Sequence, residues 1–296
     1  MVKKIKIGFF GDGQWAYNSA KNLLKNKFIK INFFCLRANT PDKKLLKLAN
    51  RSNIKCFNFK NINMLNNVKK IKDFSSDLLV SVSYDQIFKK KIIECCNLGI
   101  INCHCGALPF YRGRSPINWA IINGEKSFGI TVHYVNQKID QGDIIIQKKY
   151  PIKKKDDFKS LLNLANKKIP YLLLSSINLI LKNNVKPIRQ SSISKIGSYY
   201  KKRKNGDEDI NWNQSSIKIF NFIRALSRPG VVARTYYGNK IIKINKTYEK
   251  FIKNNKNIKP GTITSVTKKF FIVKTFDSAI KIKEWNGSVK KGYLLK

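Results

Sequence analysis

Asn102 and His104 stand two apart at the end of Leu98-Gly-Ile-Ile-Asn-Cys-His, a segment that reads as a strand. Residues two apart on a strand project to one face, so an amide and an imidazole converge on one reacting atom. The chain holds two histidines, His104 and His133, and imidazole acid–base chemistry near neutral pH falls to one of them. His104 borders a loop carrying Gly106, Pro109 and Gly113, where side chains are presented rather than packed. His133 lies in the alternating run Ile130-Thr-Val-His-Tyr-Val and reads as a structural histidine beside the site. Asp140, in a loop ending at Gly142, could supply the carboxylate that orients a catalytic imidazole, if the strand of His133 runs beside that of His104. Its other reading is an aspartate in a turn before a strand. Asn102 could donate to a developing oxyanion. No reactive serine or lysine shows itself, so direct attack by the substrate on a bound electrophile is the simplest chemistry.

Cys103 and Cys105 flank His104, but alternation along a strand turns both to the opposite face. None of the six cysteines forms a Cys-x-x-Cys pair, and no metal site is expected. With no secretory signal they read as reduced thiols of a cytoplasmic protein.

The elements that position these groups follow an alternating pattern. Lys4-Ile-Lys-Ile-Gly-Phe-Phe opens as a strand, Gly11-Asp-Gly turns it into a helix over 15–26, and Ile31-Asn-Phe-Phe-Cys-Leu is a second strand. A short strand at Lys55-Cys-Phe, a helix over 64–72 and a strand at Asp77-Leu-Leu-Val-Ser-Val-Ser continue toward a parallel sheet covered on both faces. Gly11-Asp-Gly-Gln-Trp-Ala fits the Gly-x-Gly-x-x-Ala dinucleotide fingerprint, but the acidic residue expected after the second strand is replaced by Arg37. A nicotinamide enzyme is thereby disfavoured, and the glycines become a tight turn facing the acceptor. Residues 156–182 read as a helix that Pro170 should kink or break. A polar stretch from Gln190 reads as a linker. Beyond it lie a helix start near Trp212, a hairpin with Gly-Asn at its turn and further short strands at 261–266, 270–274 and 279–283, an OB-like β-domain.

The motifs meet a family at this point. Asn-x-His at 102–104, Leu-Pro-x-Tyr-Arg-Gly at 108–113, Trp-Ala-Ile-Ile-Asn-Gly-Glu at 119–125, Gly-Ile-Thr-Val-His at 129–133 and Asp-x-Gly-Asp-Ile at 140–144 resemble the 10-formyltetrahydrofolate-dependent formyltransferases. That family acts on methionyl-tRNA, glycinamide ribonucleotide or sugar nucleotides. The resemblance implies Asn102, His104 and Asp140 as catalytic groups. It implies a folate pocket at Gln86, Ile87 and Phe88, completed by Arg114 and the loop Asn136, Gln137, Lys138, Ile139 and Asp140. One departure is Gly106-Ala-Leu-Pro, where many members have Ser-Leu-Leu-Pro. Asp209-Ile-Asn-Trp, Ile223-Arg-Ala-Leu-Ser-Arg-Pro-Gly and Pro260-Gly-Thr-Ile resemble landmarks of the family's C-terminal domain. The expected organisation is a Rossmann-like α/β catalytic domain over 1–189, a linker over 190–204 and an OB-like domain over 205–296.

The formal charge of +42 would suit a nucleic acid. Fifty lysines against nine arginines, spread evenly among Asn and Ile, look instead like A+T-rich coding bias. The methionyl-tRNA enzymes that this chain resembles carry a longer basic loop after the second strand, whereas Arg37 to Leu48 runs straight into a helix. The resemblance therefore points to an amino-sugar nucleotide, dTDP- or UDP-linked, as acceptor in cell-surface polysaccharide (lipopolysaccharide or O-antigen) biosynthesis, with tRNA as the alternative partner and a homodimer as the assembly suggested by sugar-modifying relatives. No redox or metal cofactor is required. The longest apolar run, 169–181, is interrupted by Ser175, Ser176 and Asn178 and is too short to span a bilayer.

Overall fold

The computed structural model describes residues 4–253 and 257–296. In chain order the elements are β1 (Ile5–Gly11), α1 (Gly13–Leu24), β2 (Ile29–Cys35), α2 (Lys43–Arg51), β3 (Lys55–Phe57), α3 (Leu65–Asp73), β4 (Leu78–Val82), α4 (Lys90–Ile93) and β5 (Ile100–His104). They continue with β6 (Arg112–Gly113), α5 (Pro116–Ile122), β7 (Ser127–Tyr134), β8 (Ile144–Pro151), α6 (Phe158–Leu181), α7 (Gln190–Ile193) and β9 (Tyr199–Tyr200). The remainder is α8 (Ser216–Ala225), β10 (Ala233–Tyr237), β11 (Lys240–Thr247), β12 (Ile263–Val266), β13 (Phe271–Lys274) and β14 (Ala279–Trp285). The chain divides into two compact units, one of residues 1–113, 129–149 and 163–199, the other of 114–128, 150–162 and 200–296.

The first unit is built on a seven-stranded sheet of order β3-β2-β1-β4-β5-β7-β8. Its first five strands are parallel, as the alternation predicts, and β1 and β4 are buried almost end to end because helices cover both faces. The sheet is nevertheless mixed: β7 runs antiparallel to β5, pairing Asn102 with His133 and His104 with Thr131. One side is filled by edge-to-face aromatic contacts of Phe10 with Phe33, Tyr84 and Phe88, their ring centroids 5.2–5.6 Å apart.

The helix over 156–182 is not broken at Pro170; α6 is continuous from Phe158 to Leu181. Proline lacks the N–H that would reach the carbonyl four residues earlier. In this protein the Asn18 side-chain amide donates to that carbonyl, Asn166 O, at 3.1 Å, and the Asn22 amide donates to Pro170 O at 3.2 Å. The lost hydrogen bond is thus replaced from α1.

The second unit holds the five-stranded antiparallel sheet β10-β11-β14-β13-β12 around a core of Trp212, Ile219, Ile223, Ile244, Phe271 and Ile282. The hairpin β10–β11 turns at Gly238, whose φ of +58° suits its place at the bend. The predicted Asn-Gln-Ser-Ser start of α8 lacks a side-chain cap from Ser215. The Asp277 carboxylate accepts from Ser216 N–H instead, at 2.8 Å.

Candidate active site

The antiparallel pairing of β5 with β7 meets the condition that the sequence set for a carboxylate–histidine pair. Asp140 and both histidines converge in the first unit. His104 Nδ1 lies 3.6 Å from Asp140 Oδ2, and His133 Nε2 lies 3.6 Å from Asp140 Oδ1. Asp140 Oδ2 also accepts from Gly113 N–H at 2.8 Å. Burial by itself raises the pKa of this carboxyl; the facing His104 and His133 and the Gly113 N–H outweigh burial and hold it well below the usual carboxylate range.

The tautomers follow from the carbonyls, which can only accept. His104 Nε2 is 2.7 Å from Tyr111 O, so Nε2 carries a proton and donates it there. Nδ1 is then the nitrogen left to take up and release a proton, with Asp140 as its counter-ion. The tautomer is thus fixed by the Tyr111 carbonyl, while Asp140 faces Nδ1. Gly106 makes room for this: a Cβ there would sit 2.6 Å from both His104 Nε2 and Tyr111 O.

His133 is more than a neighbour. Its Nδ1 donates to Tyr134 O at 2.7 Å, and its Nε2 lies between Asn102 Nδ2 at 3.2 Å and Asp140 Oδ1 at 3.6 Å. The Asn102 amide is therefore held against the His133 ring. The strand register pairing Asn102 with His133 is the signal that a reading confined to local pattern does not supply. We expect His133→Ala to lower kcat by about tenfold or more, within the range for a misaligned oxyanion donor, with little change in either KM. A loss confined to KM in steady-state assays would contradict this.

A second contributor falls in the stretch read as a linker. Gln190 is 4% exposed. Its amide Nε2 donates to Asp140 O and Gly142 O, both at 2.8 Å, and its Oε1 accepts from Arg112 Nε and Nη2 at 3.0 and 2.7 Å. It ties the Asp140 loop to the segment after Tyr111. No local pattern marks a glutamine whose partners lie about fifty residues or more away.

Of the expected folate contacts, Ile87 and Ile139 are presented, at 59% and 40% exposure, with Phe110 on the same unit at 41%. Asn136 Oδ1 accepts from Lys138 N–H at 2.9 Å and shapes the exposed loop 136–139. At 86–88, where the resemblance implies largely backbone contacts beside an apolar wall, two side chains turn toward the protein. Phe88 is buried among Phe10 and Tyr84, because strand-end aromatics fill the space beneath the loop. The Gln86 amide is spent on Phe59 O and Ile62 N–H. These two brace the loop, and only Ile87 of the three projects outward. Arg114 is exposed and is counted with the second unit.

Burial pushes the Cys103 thiol up to about 12 and Cys105 well above the ordinary thiol range. Burial thus keeps both as neutral thiols. Among the described residues no group of three or more His, Cys, Asp or Glu is placed to hold a metal, and no helix is long and apolar enough to cross a membrane.

Residues 4–177 match the family described as formyl transferase, and residues 202–293 its C-terminal domain. The chain belongs to the formyl transferase family. It is a formyl-transfer enzyme that uses 10-formyltetrahydrofolate. Similar proteins fall on both sides of the acceptor question. A methionyl-tRNA formyltransferase of Fusobacterium nucleatum is 32% identical, covering 97% of this chain and 94% of its own. The bifunctional polymyxin resistance protein ArnA of Wigglesworthia glossinidia brevipalpis is 38% identical over 73% of this chain, which spans 32% of that protein. Among solved structures, the sugar 3N-formyl transferase WlaRD, determined in the presence of dTDP and 5-N-formyl-THF, is 26% identical with a TM-score of 0.71, covering 96% of this chain and 99% of its own. An N-formyltransferase of Helicobacter canadensis in complex with folinic acid and dTDP-3-aminofucose shares the fold of this formyl transferase at 24% identity and a TM-score of 0.70, over 95% and 100% of the two chains.

Proposed function

We propose that the enzyme formylates the amine of a nucleotide-linked amino sugar, dTDP- or UDP-linked, for cell-surface polysaccharide synthesis, with a homodimer as its assembly. The observation that carries this reading is the connection after β2, where residues 36–42 lead directly into α2. The basic insertion that the resemblance attaches to methionyl-tRNA enzymes is missing there. WlaRD, similar over the whole chain and solved with dTDP, supports the same acceptor class.

In this reading the uncharged amine attacks the formyl carbon of 10-formyltetrahydrofolate. Negative charge gathers on the formyl oxygen, where the Asn102 amide and the proton on His104 Nδ1 stabilise it. His104 gives its Nδ1 proton to folate N10 as the C–N10 bond breaks, and the proton that the amine loses as the new C–N bond forms returns to Nδ1. Asp140 keeps the imidazolium balanced. The products are the N-formyl sugar and tetrahydrofolate. Ile87 and Ile139 offer the apolar surface that a pterin ring needs.

Incubation with 10-formyltetrahydrofolate and a panel of 3-amino and 4-amino sugar nucleotides, followed by mass spectrometry, should show the gain of one formyl group on at least one of them. Absence of product with every sugar, alongside formylation of methionyl-tRNA, would overturn the proposal. That second reading is favoured by the identity to the Fusobacterium nucleatum enzyme and by the +42 charge.

The charge state of Asp140 has a measurable consequence. A folded-state pKa below the unfolded value stabilises the protein above the ordinary carboxylate range and is lost as pH falls through the folded value. We therefore expect the stability gap between the wild type and Asp140→Asn to shrink as pH drops below about 4. Denaturant titrations across that range would show it; a gap that widens on acidification would contradict it.

A further inference from the structure

The Gly11-Asp12-Gly13 turn and Arg37 are left unused by the chemistry above. Phe10 pairs with Cys35, Gly11 with Val82 and Val82 with Cys103. Counting on from those pairs, Arg37, Asp12, Ser83 and His104 form one row along the carboxyl edge of β2, β1, β4 and β5. This is the switch point of the sheet, where α/β folds take ligands.

Arg37 reaches back over β1. Its Nη2 donates to Ser83 O at 2.8 Å, from a serine held at a φ of +61°, and its Nε faces Asp12 Oδ2 at 3.6 Å. The bracing is incomplete. Asp12 is 8% exposed, and neither its buried Oδ2 nor Arg37 Nε makes a hydrogen bond. Among the described residues Arg37 Nη1 has no partner, and the side chain keeps 30% of its exposure. One guanidinium edge is anchored; the other is offered outward. Beside it α1 begins with no side-chain cap and no acidic residue in its first turn, so its first N–H groups favour an anion too. Asp42 and Asp85 act electrostatically on Asp12, so the carboxylates around it oppose an anion and Arg37 must supply the attraction. With strands about 4.8 Å apart, the anchor at Ser83 lies about one strand from His104, roughly the width of a sugar ring.

We propose that Arg37, braced by Ser83 and Asp12, selects the acceptor by binding the diphosphate of a nucleoside-diphosphate amino sugar, one ring away from the amine at His104. This rests on the sugar-nucleotide reading and names the residue that enforces it. A bidentate guanidinium–phosphate contact is charge-assisted and geometrically demanding, so Arg37→Lys should recover only part of it.

The test compares wild type, Arg37→Ala, Arg37→Lys and Arg37→Gln, the last able to keep the bond to Ser83 O, with folding checked by circular dichroism. Calorimetry with dTDP and UDP, and steady-state kinetics with the sugar nucleotide, should show the dissociation constant and acceptor KM rising about tenfold or more in Arg37→Ala and Arg37→Gln, less in Arg37→Lys. The KM for 10-formyltetrahydrofolate should stay put. If the wild type formylates a sugar nucleotide and folded variants bind dTDP and UDP as it does, the role of Arg37 is refuted while the acceptor reading stands. If the wild type binds neither nucleotide and formylates methionyl-tRNA alone, both fall together.

Discussion

Replacing His104 with alanine should lower kcat by about a hundred- to ten-thousand-fold, the range that positioned acid–base groups contribute. In this imidazole Nε2 is committed to Tyr111 O, while Nδ1 faces Asp140 across 3.6 Å and is left to carry the proton. The variant loses the proton carrier and the charge that balances the oxyanion together. Binding should be affected far less, because the apolar surface proposed for the pterin, at Ile87 and Ile139, is separate from the ring. Assays of tetrahydrofolate release under saturating substrates will measure this. A variant retaining more than about a tenth of the wild-type kcat would remove His104 from the chemistry.

Gly142→Ala should be the most damaging change to stability, about 3 kcal/mol, as expected for overpacking against rigid atoms. A Cβ at this position would stand 1.8 Å from Tyr134 O and 2.6 Å from its carbonyl carbon. Both are backbone atoms of the strand that carries His133, so nothing flexible can yield. The carbonyl of Gly142 is also one of the two held by Gln190, and the other is that of Asp140. Displacing the loop therefore moves the carboxylate as well as straining the fold. Urea unfolding should show the loss, and kcat should fall further than unfolding alone accounts for. Wild-type stability in Gly142→Ala would mean that the loop has another route past β7.

The parts of this site that the sequence discloses are those whose partners are near in the chain. Asn102 and His104 share a face because strands have a period of two, and the Gly142 turn announces the loop of Asp140. The alternation of β1 to β5 likewise follows from local pattern. What stays hidden is long-range. Nothing near His133 says that Asn102 lies opposite it, and the burial of Gln190 depends on Asp140, Gly142 and Arg112. Pro170 is a helix breaker on local grounds, overruled by an amide from Asn18 that only the packed α1 brings within reach. Phe88 sits in a loop at the carboxyl edge yet fills the core, since its fate is decided by Phe10 and Tyr84.

The acceptor is the central claim, and the ratio of kcat/KM for the best sugar nucleotide to that for methionyl-tRNA tests it most directly. The account predicts a ratio of at least about a hundred, equivalent to about 2.7 kcal/mol of transition-state discrimination, with turnover of both substrates falling in His104→Ala. A ratio below one would contradict it and return the +42 charge to a role on tRNA.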